Sequence, residues 1–95
     1  MVRSLRYMPY AQAKVWDGSM KGYEQIILTS YSTDVIIVTG NYMRCTGLYS
    51  MTTRKHISAF LREYYPHISF YDVKEIAGRD DLRIDTTTGK AVKVC

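Results

Sequence analysis

Ser30-Tyr31-Ser32-Thr33-Asp34-Val35-Ile36-Ile37-Val38 decides the reading of this chain, together with the residues from Thr39 to Tyr64. Val35 to Val38 are all β-branched. Such side chains pack well on a pleated surface and crowd a helical turn, so they favour a strand. Working outward, Tyr23 to Tyr31 reads as the preceding strand, with Ile26, Ile27 and Leu28 as its apolar run. The short polar stretch Ser30 to Thr33 turns one strand into the next. Gly40-Asn41 then marks a tight turn, because both residue types tolerate positive φ. Tyr42 to Leu48 is a third strand, with Gly47 as a candidate bulge. The pattern is an antiparallel meander. Unbroken apolar runs in its first two strands imply that both sheet faces are partly covered.

After the meander comes Tyr49-Ser50-Met51-Thr52-Thr53-Arg54-Lys55-His56-Ile57, then Phe60-Leu61-Arg62-Glu63-Tyr64. Ser50 and Thr52 are candidate helix caps, since a hydroxyl there can accept from an orphan backbone N–H. Ile57, Phe60, Leu61 and Tyr64 fall at the i, i+3, i+4, i+7 spacing of one buried stripe. Arg54, Lys55, Ser58 and Arg62 fall largely away from it. Pro66 stops the helix. Beyond it, Ile68-Ser69-Phe70-Tyr71-Asp72-Val73 reads as a fourth strand and Ala77 to Asp81 as a loop. Leu82 to Asp85 and Ala91 to Val94 alternate apolar with polar around Thr86-Thr87-Thr88-Gly89, as in a half-exposed hairpin.

The predicted fold is therefore α+β: an antiparallel sheet of three or four strands with one helix packed on it, plus a C-terminal β-hairpin. The 95 residues make one domain. Within it, residues 1–22 form a basic and aromatic arm, 23–73 a β-β-β-α-β core, and 82–94 the hairpin. In the arm, Pro9 disfavours a helix, and a short strand is expected near Ala13 to Trp16. Trp16 reads as an anchor on the sheet rather than an exposed contact. A chain of this length buries roughly 60–65% of its unfolded surface, enough to fold alone with little margin.

Net charge is +4. Segments 1–22, 23–49, 50–65 and 66–95 carry +3, −1, +2 and 0, so the excess sits in the arm and the helix. That is a modest attraction to polyanions, and acidic protein surfaces suit it equally. Nine tyrosines stand against two phenylalanines. Tyrosine, with an apolar body and a polar tip, serves core rims, interfaces and base-stacking surfaces alike. Cys45 and Cys95 match no metal motif or disulfide framework, which points to reduced thiols in a cytosolic compartment. Cys95, at the last position, is expected to crosslink copies on oxidation. No apolar run reaches spanning length and no signal-peptide core is present, so neither membrane insertion nor that secretion route is expected.

The densest polar constellation is Ser50, Thr52, Thr53, Arg54 and His56 at the helix start. Helix N-termini attract anions, which makes Ser50, Thr52, Thr53 and His56 a candidate anion site; ordinary capping is the simpler reading. His56 has the chemistry of a general base, but no carboxylate or nucleophile is placed to orient it. A histidine on the helix rim, bonded to the sheet, is the alternative. Two histidines are too few for most metal sites, and no cofactor is implied. Gly89-Lys90 lacks the spaced first glycine of a phosphate loop, whose place is taken by Ile84, and a hairpin turn explains it. Asp80-Asp81 has no neighbouring oxygen donors for a cation.

The pattern Ser30-Tyr31-x-Thr33-x-Val35, Tyr49-Ser50-x-Thr52-Thr53-Arg54-x-His56-Ile57 and Phe60-Leu61-Arg62-Glu63-Tyr64 resembles a family of small proteins of bacteriophages and mobile elements. The resemblance covers about residues 26–64. It implies a phage setting, the cytoplasm of a host cell as the place of action, and no catalytic activity. Small phage-borne domains of this kind often block host proteins, defence nucleases among them, so it also implies an anti-CRISPR-like inhibitor.

The functional expectation is a non-enzymatic binding protein. It would inhibit a nucleic-acid-handling host protein, a CRISPR effector being the specific case, by steric occlusion. Arg54, Lys55 and Arg62 on the helix, with Arg3, Arg6, Tyr7 and Tyr10 in the arm, would carry the contact, because arginine and aromatic anchors dominate interfaces. The alternative is a single-stranded nucleic-acid-binding domain, with tyrosines stacking on bases and basic residues tracking phosphate. A homodimer built on an open sheet edge or on the terminal hairpin is compatible with either.

Overall fold

In the computed structural model of the chain, residues 2–18 and 25–94 are described. Among them, seven strands form one antiparallel sheet in sequence order. The strands are β1 (Val2–Arg3), β2 (Ala13–Asp17), β3 (Gln25–Ser30), β4 (Thr33–Thr39), β5 (Tyr42–Cys45), β6 (Leu82–Asp85) and β7 (Lys90–Lys93). Two helices, α1 (Met51–Tyr64) and α2 (Phe70–Ile76), lie between β5 and β6. This overturns the expected sheet of three or four strands with one helix and an added hairpin. Three separate reasons account for the difference.

The arm belongs to the sheet. Ala13 and Val15 are buried and Lys14 is exposed, so β2 alternates, and it pairs with β3 from Ala13↔Ser30 to Asp17↔Ile26. Arg3 pairs with Val15 on the far edge, and Leu5 is fully buried. The terminal hairpin is likewise part of the same sheet, because β6 pairs with β5 through Tyr42↔Asp85 and Met43↔Ile84. An isolated two-stranded hairpin is marginal in water, and burying Ile84 in the core gives this one its support. Finally, the expected fourth strand over residues 68–73 is absent. Ser69 caps a helix there by accepting from Tyr71 N at 3.1 Å, Asp72 sits in its first turn, and Val73 and Ile76 are buried one turn apart. The aromatic and β-branched composition points to a strand; the cap and the i, i+3 spacing prevail.

The local turns match their residues. Tyr31-Ser32 joins β3 to β4, and Gly40-Asn41 joins β4 to β5 with Gly40 at φ 60°. The strand containing Tyr42 ends at Cys45, so Gly47 lies in the following loop and is not a bulge. The bulge lies where β4 faces β3. Leu28 pairs with Ile36 but Thr29 pairs with Asp34, which leaves Val35 as the extra residue. A bulge lets successive side chains turn to one side, and both Val35 and Ile36 are fully buried in the core. The unbroken apolar run therefore reflects a bulge as much as coverage of two faces. The first two positions of the expected strand, Tyr23 and Glu24, lie outside the described residues, as do positions 19–22 of the arm and Cys95.

The core joins Val15, Leu28, Ile36, Val38, Met43 and Ile84 of one sheet face to Ile57, Phe60 and Leu61 of α1 and Val73 and Ile76 of α2. The opposite face carries the alternate residues. One row there runs Trp16↔Ile27↔Ile37↔Arg44, half-buried throughout. No helix among the described residues is long and apolar enough to cross a membrane.

Candidate functional site

The site residues gather on and around α1. Ser50 adopts extended backbone and its hydroxyl accepts from Thr53 N at 3.1 Å, so Ser50 is the cap and Thr52 is not. This starts the helix in a phase that turns Thr53 and His56 inward with Ile57 and Phe60. There they meet the end of β3. Ser30 Oγ lies 2.8 Å from His56 Nδ1 and 3.3 Å from Thr53 Oγ1, which is itself 3.1 Å from Ser50 Oγ. Ser30 and Thr53 are each 2% exposed and His56 is 1% exposed. Burial pushes the His56 imidazole below its ordinary pKa, because a charged ring would lose its hydration. The segment that begins at Ser30 and the segment that begins at Tyr49 thus meet in one buried, hydrogen-bonded chain.

Two strained residues frame this chain. Tyr31 has φ 57° and Tyr49 has φ 32°, both in the left-handed region that bulky side chains avoid. Tyr31 occupies a hairpin position where glycine is the usual choice, and its ring lies 5.8 Å from that of His56. Tyr49 folds back so that its hydroxyl donates to Thr46 Oγ1 at 3.0 Å. Its ring covers Gly47, where a Cβ would lie 3.0 Å from Tyr49 Cζ. Both tyrosines are exposed.

At the other end of α1, one carboxylate organises the arm. Glu63 accepts from the Arg6 backbone N–H at 2.8 Å and pairs with the Arg3 guanidinium. Arg3 Nε also donates to the Tyr64 hydroxyl at 2.6 Å, which raises the Arg3 pKa. Burial lifts the Tyr64 phenol, against the lowering pull of Arg3. The arm then lays Tyr7 beside α1, with the Arg62 guanidinium 4.2 Å and that of Arg6 5.7 Å from its ring centre. Arg62, Arg6, Arg3 and Tyr7 therefore form one basic and aromatic surface.

The expected contact residues divide accordingly. Arg54 and Lys55 lie on the same exposed face of α1 as Ser58 and Arg62, about 12 Å along the axis from Arg54 to Arg62. Tyr10 is 98% exposed. The candidate anion site does not assemble. Ser50 is committed to capping and Thr53 and His56 face inward, which leaves Thr52 and Arg54 at the surface. His56 is not a rim residue, and Ser30 buried beside it is shut off from any substrate. Asp80 and Asp81 pair with Arg44 and Arg79 instead of offering a cation site. Among the described residues no cluster of three or more histidine, cysteine or acidic side chains could hold a metal ion. The sequence reading misses Glu63 and Ser30. A single acid on a helix otherwise basic on its surface is the signal for Glu63; Ser30 has none, since it resembles any turn serine.

No curated protein and no solved structure matches the chain. A family model described as a family of unknown function, DUF8033, matches residues 3–80, from β1 through both helices, and includes every residue of the Ser30–His56 chain and of the arm clamp. The chain belongs to this family.

Proposed function

We propose that the chain is a non-enzymatic binding protein that covers an acidic surface of a nucleic-acid-handling host protein. The observation that carries this reading is the stacking of Arg62 on Tyr7, with the arm clamped by Glu63. A pre-ordered surface of arginine and tyrosine loses little side-chain freedom on binding, and these residue types supply interface anchors. The sign of the charge shapes the mode of inhibition. A +4 protein does not imitate a polyanion, so occlusion would proceed from an acidic patch rather than by filling a basic nucleic-acid channel. The resemblance to small phage proteins supports the choice of a host target, with a CRISPR effector as the specific case.

Co-purification of tagged protein from host lysate, with and without nuclease, tests the reading. A stoichiometric protein band should survive nuclease. Charge reversal of Arg54 and Arg62 together should weaken its binding by about tenfold or more; unchanged affinity removes the helix from the contact.

A second reading has one observation in its favour. Tyr42 is 48% exposed on the sheet face opposite the helices, and Arg83 and Lys90 lie in the adjoining strands on that side. Single-stranded nucleic acid would stack there and bind with a steep salt dependence. No detectable affinity for oligothymidylate at low salt ends it.

A further inference from the structure

We propose that the concavity between α1 and α2 receives an apolar side chain flanked by carboxylates, presented by a segment of a partner protein. The inference rests on the proposed binding function and names the chemistry of what is bound. The concavity encloses about 230 Å³ and is lined by Ser58, Leu61, Arg62, Pro66, Ile68 and Phe70. Leu61 and Ile68 are each 4% exposed and belong to the core, so an entering group meets surface that is already held in place. An apolar group gains by leaving water there, while a nucleobase would leave most of its polar edge unpaired against leucine, proline and isoleucine.

The rim sets the charge of the occupant. Arg62 is the charged residue of the lining, exposed one turn beyond Ser58. Its guanidinium lies over the Tyr7 ring, 4.2 Å from the ring centre. The in-plane N–H groups of a stacked guanidinium can still grip a carboxylate in a fork. Arg62 joins none of the ion pairs among the described residues. Its neighbour Glu63 does not neutralise it, since that side chain is 9% exposed and held by Arg3 and the Arg6 amide. Lys55, two turns back on the same exposed face, extends the positive field. The complementary ligand is an acidic peptide with a leucine or phenylalanine at its centre.

Titration of the full chain followed by 15N–1H NMR tests this. The probe is the end-blocked peptide Glu-Asp-Leu-Phe-Asp-Glu; controls are its lysine-flanked counterpart Lys-Lys-Leu-Phe-Lys-Lys and a hexathymidylate. The acidic peptide should shift the amides of Ser58, Leu61, Arg62, Ile68 and Phe70. It should bind about tenfold or more tightly than the lysine peptide. Ser58→Trp, at an exposed position, should fill the concavity and abolish the response with the spectrum otherwise folded. Scattered shifts, an equal response to the lysine peptide, or a stronger one to hexathymidylate would overturn the proposal. So would shifts at these amides that depend on protein concentration without peptide, which would assign the site to a second copy offering its exposed Tyr71 beside Asp72. If Ser58→Trp keeps the co-purifying partner but Arg54/Arg62 charge reversal loses it, the concavity is wrong and the binding reading stands. If neither change loses that partner, the concavity is wrong and the contact lies off the helix; if no protein co-purifies with the unsubstituted chain, the binding reading itself fails.

Discussion

Ser30 Oγ and His56 Nδ1 lie 2.8 Å apart across 26 positions of sequence, and this hydrogen bond ties the start of α1 to the end of β3. It does so in a place where water does not compete. Removing one partner therefore strands the other, and the cost is that of a buried polar group left unmade rather than of an ordinary hydrogen bond.

Ser30→Ala should lower stability by about 1–3 kcal/mol, a fall in Tm on the order of 5–15 °C for a domain of this size. Thermal unfolding by circular dichroism checks it. A change below about 2 °C would mean that the imidazole finds another partner.

Stability should also fall with acid in a defined window. His56 has an ordinary pKa of 6.5, and burial lowers it in the folded state. The unfolded chain therefore binds more protons between the two values, and stability rises with pH there. The contribution is complete above about 6.5 and is lost as pH drops through the lower, folded value. His56→Gln should flatten this part of the Tm-against-pH curve. An unchanged slope would place the pH dependence elsewhere.

Glu63→Gln should free the arm. The Arg6 amide loses its charged acceptor and Arg3 its ion-pair partner. Hydrogen exchange at Arg6 should accelerate by about tenfold or more, while the amides of β3 and β4 stay protected. The same variant should weaken any partner that depends on the Arg62–Tyr7 surface, because that surface would have to be ordered anew on binding. Unaltered exchange at Arg6 would show that burial of Leu5 alone holds the arm.

Gly89→Ala tests the docking of the last hairpin. Gly89 has φ +75°, and a Cβ would stand 3.3 Å from the His67 carbonyl oxygen. The His67 ring in turn donates from Nε2 to Thr86 O at 2.6 Å, so the turn is gripped from the segment between the helices. A loss of about 1–2 kcal/mol is expected, read from urea unfolding. Ser69→Ala should cost a similar amount through the cap of α2.

The elements legible in the sequence share one property: each is decided by residues a few positions apart. The two tight turns, the cap at Ser50 and the stripe of Ile57, Phe60, Leu61 and Tyr64 all depend on φ preference, a nearby hydroxyl, or spacing within two helical turns. The arginine and tyrosine residues of the contact surface are legible as residue types, but not their arrangement. Ile68 to Val73 reads as a strand by composition alone; the cap at Ser69 and the spacing of Val73 and Ile76 carry the stronger signal, and they make Phe70–Ile76 a helix.

By itself, then, the sequence determined the β3–β4–β5 meander and the first helix with its basic outer face. The tertiary structure alone decided that β1, β2, β6 and β7 join one sheet, that Val35 forms a bulge, that Glu63 draws the arm onto α1, and that Thr53 and His56 turn away from solvent toward Ser30. Each of these pairs groups distant in the chain. Their stability comes from burial and hydrogen bonds that exist only once the ends of long loops have been brought together, and no local preference of φ, ψ or side chain records that outcome.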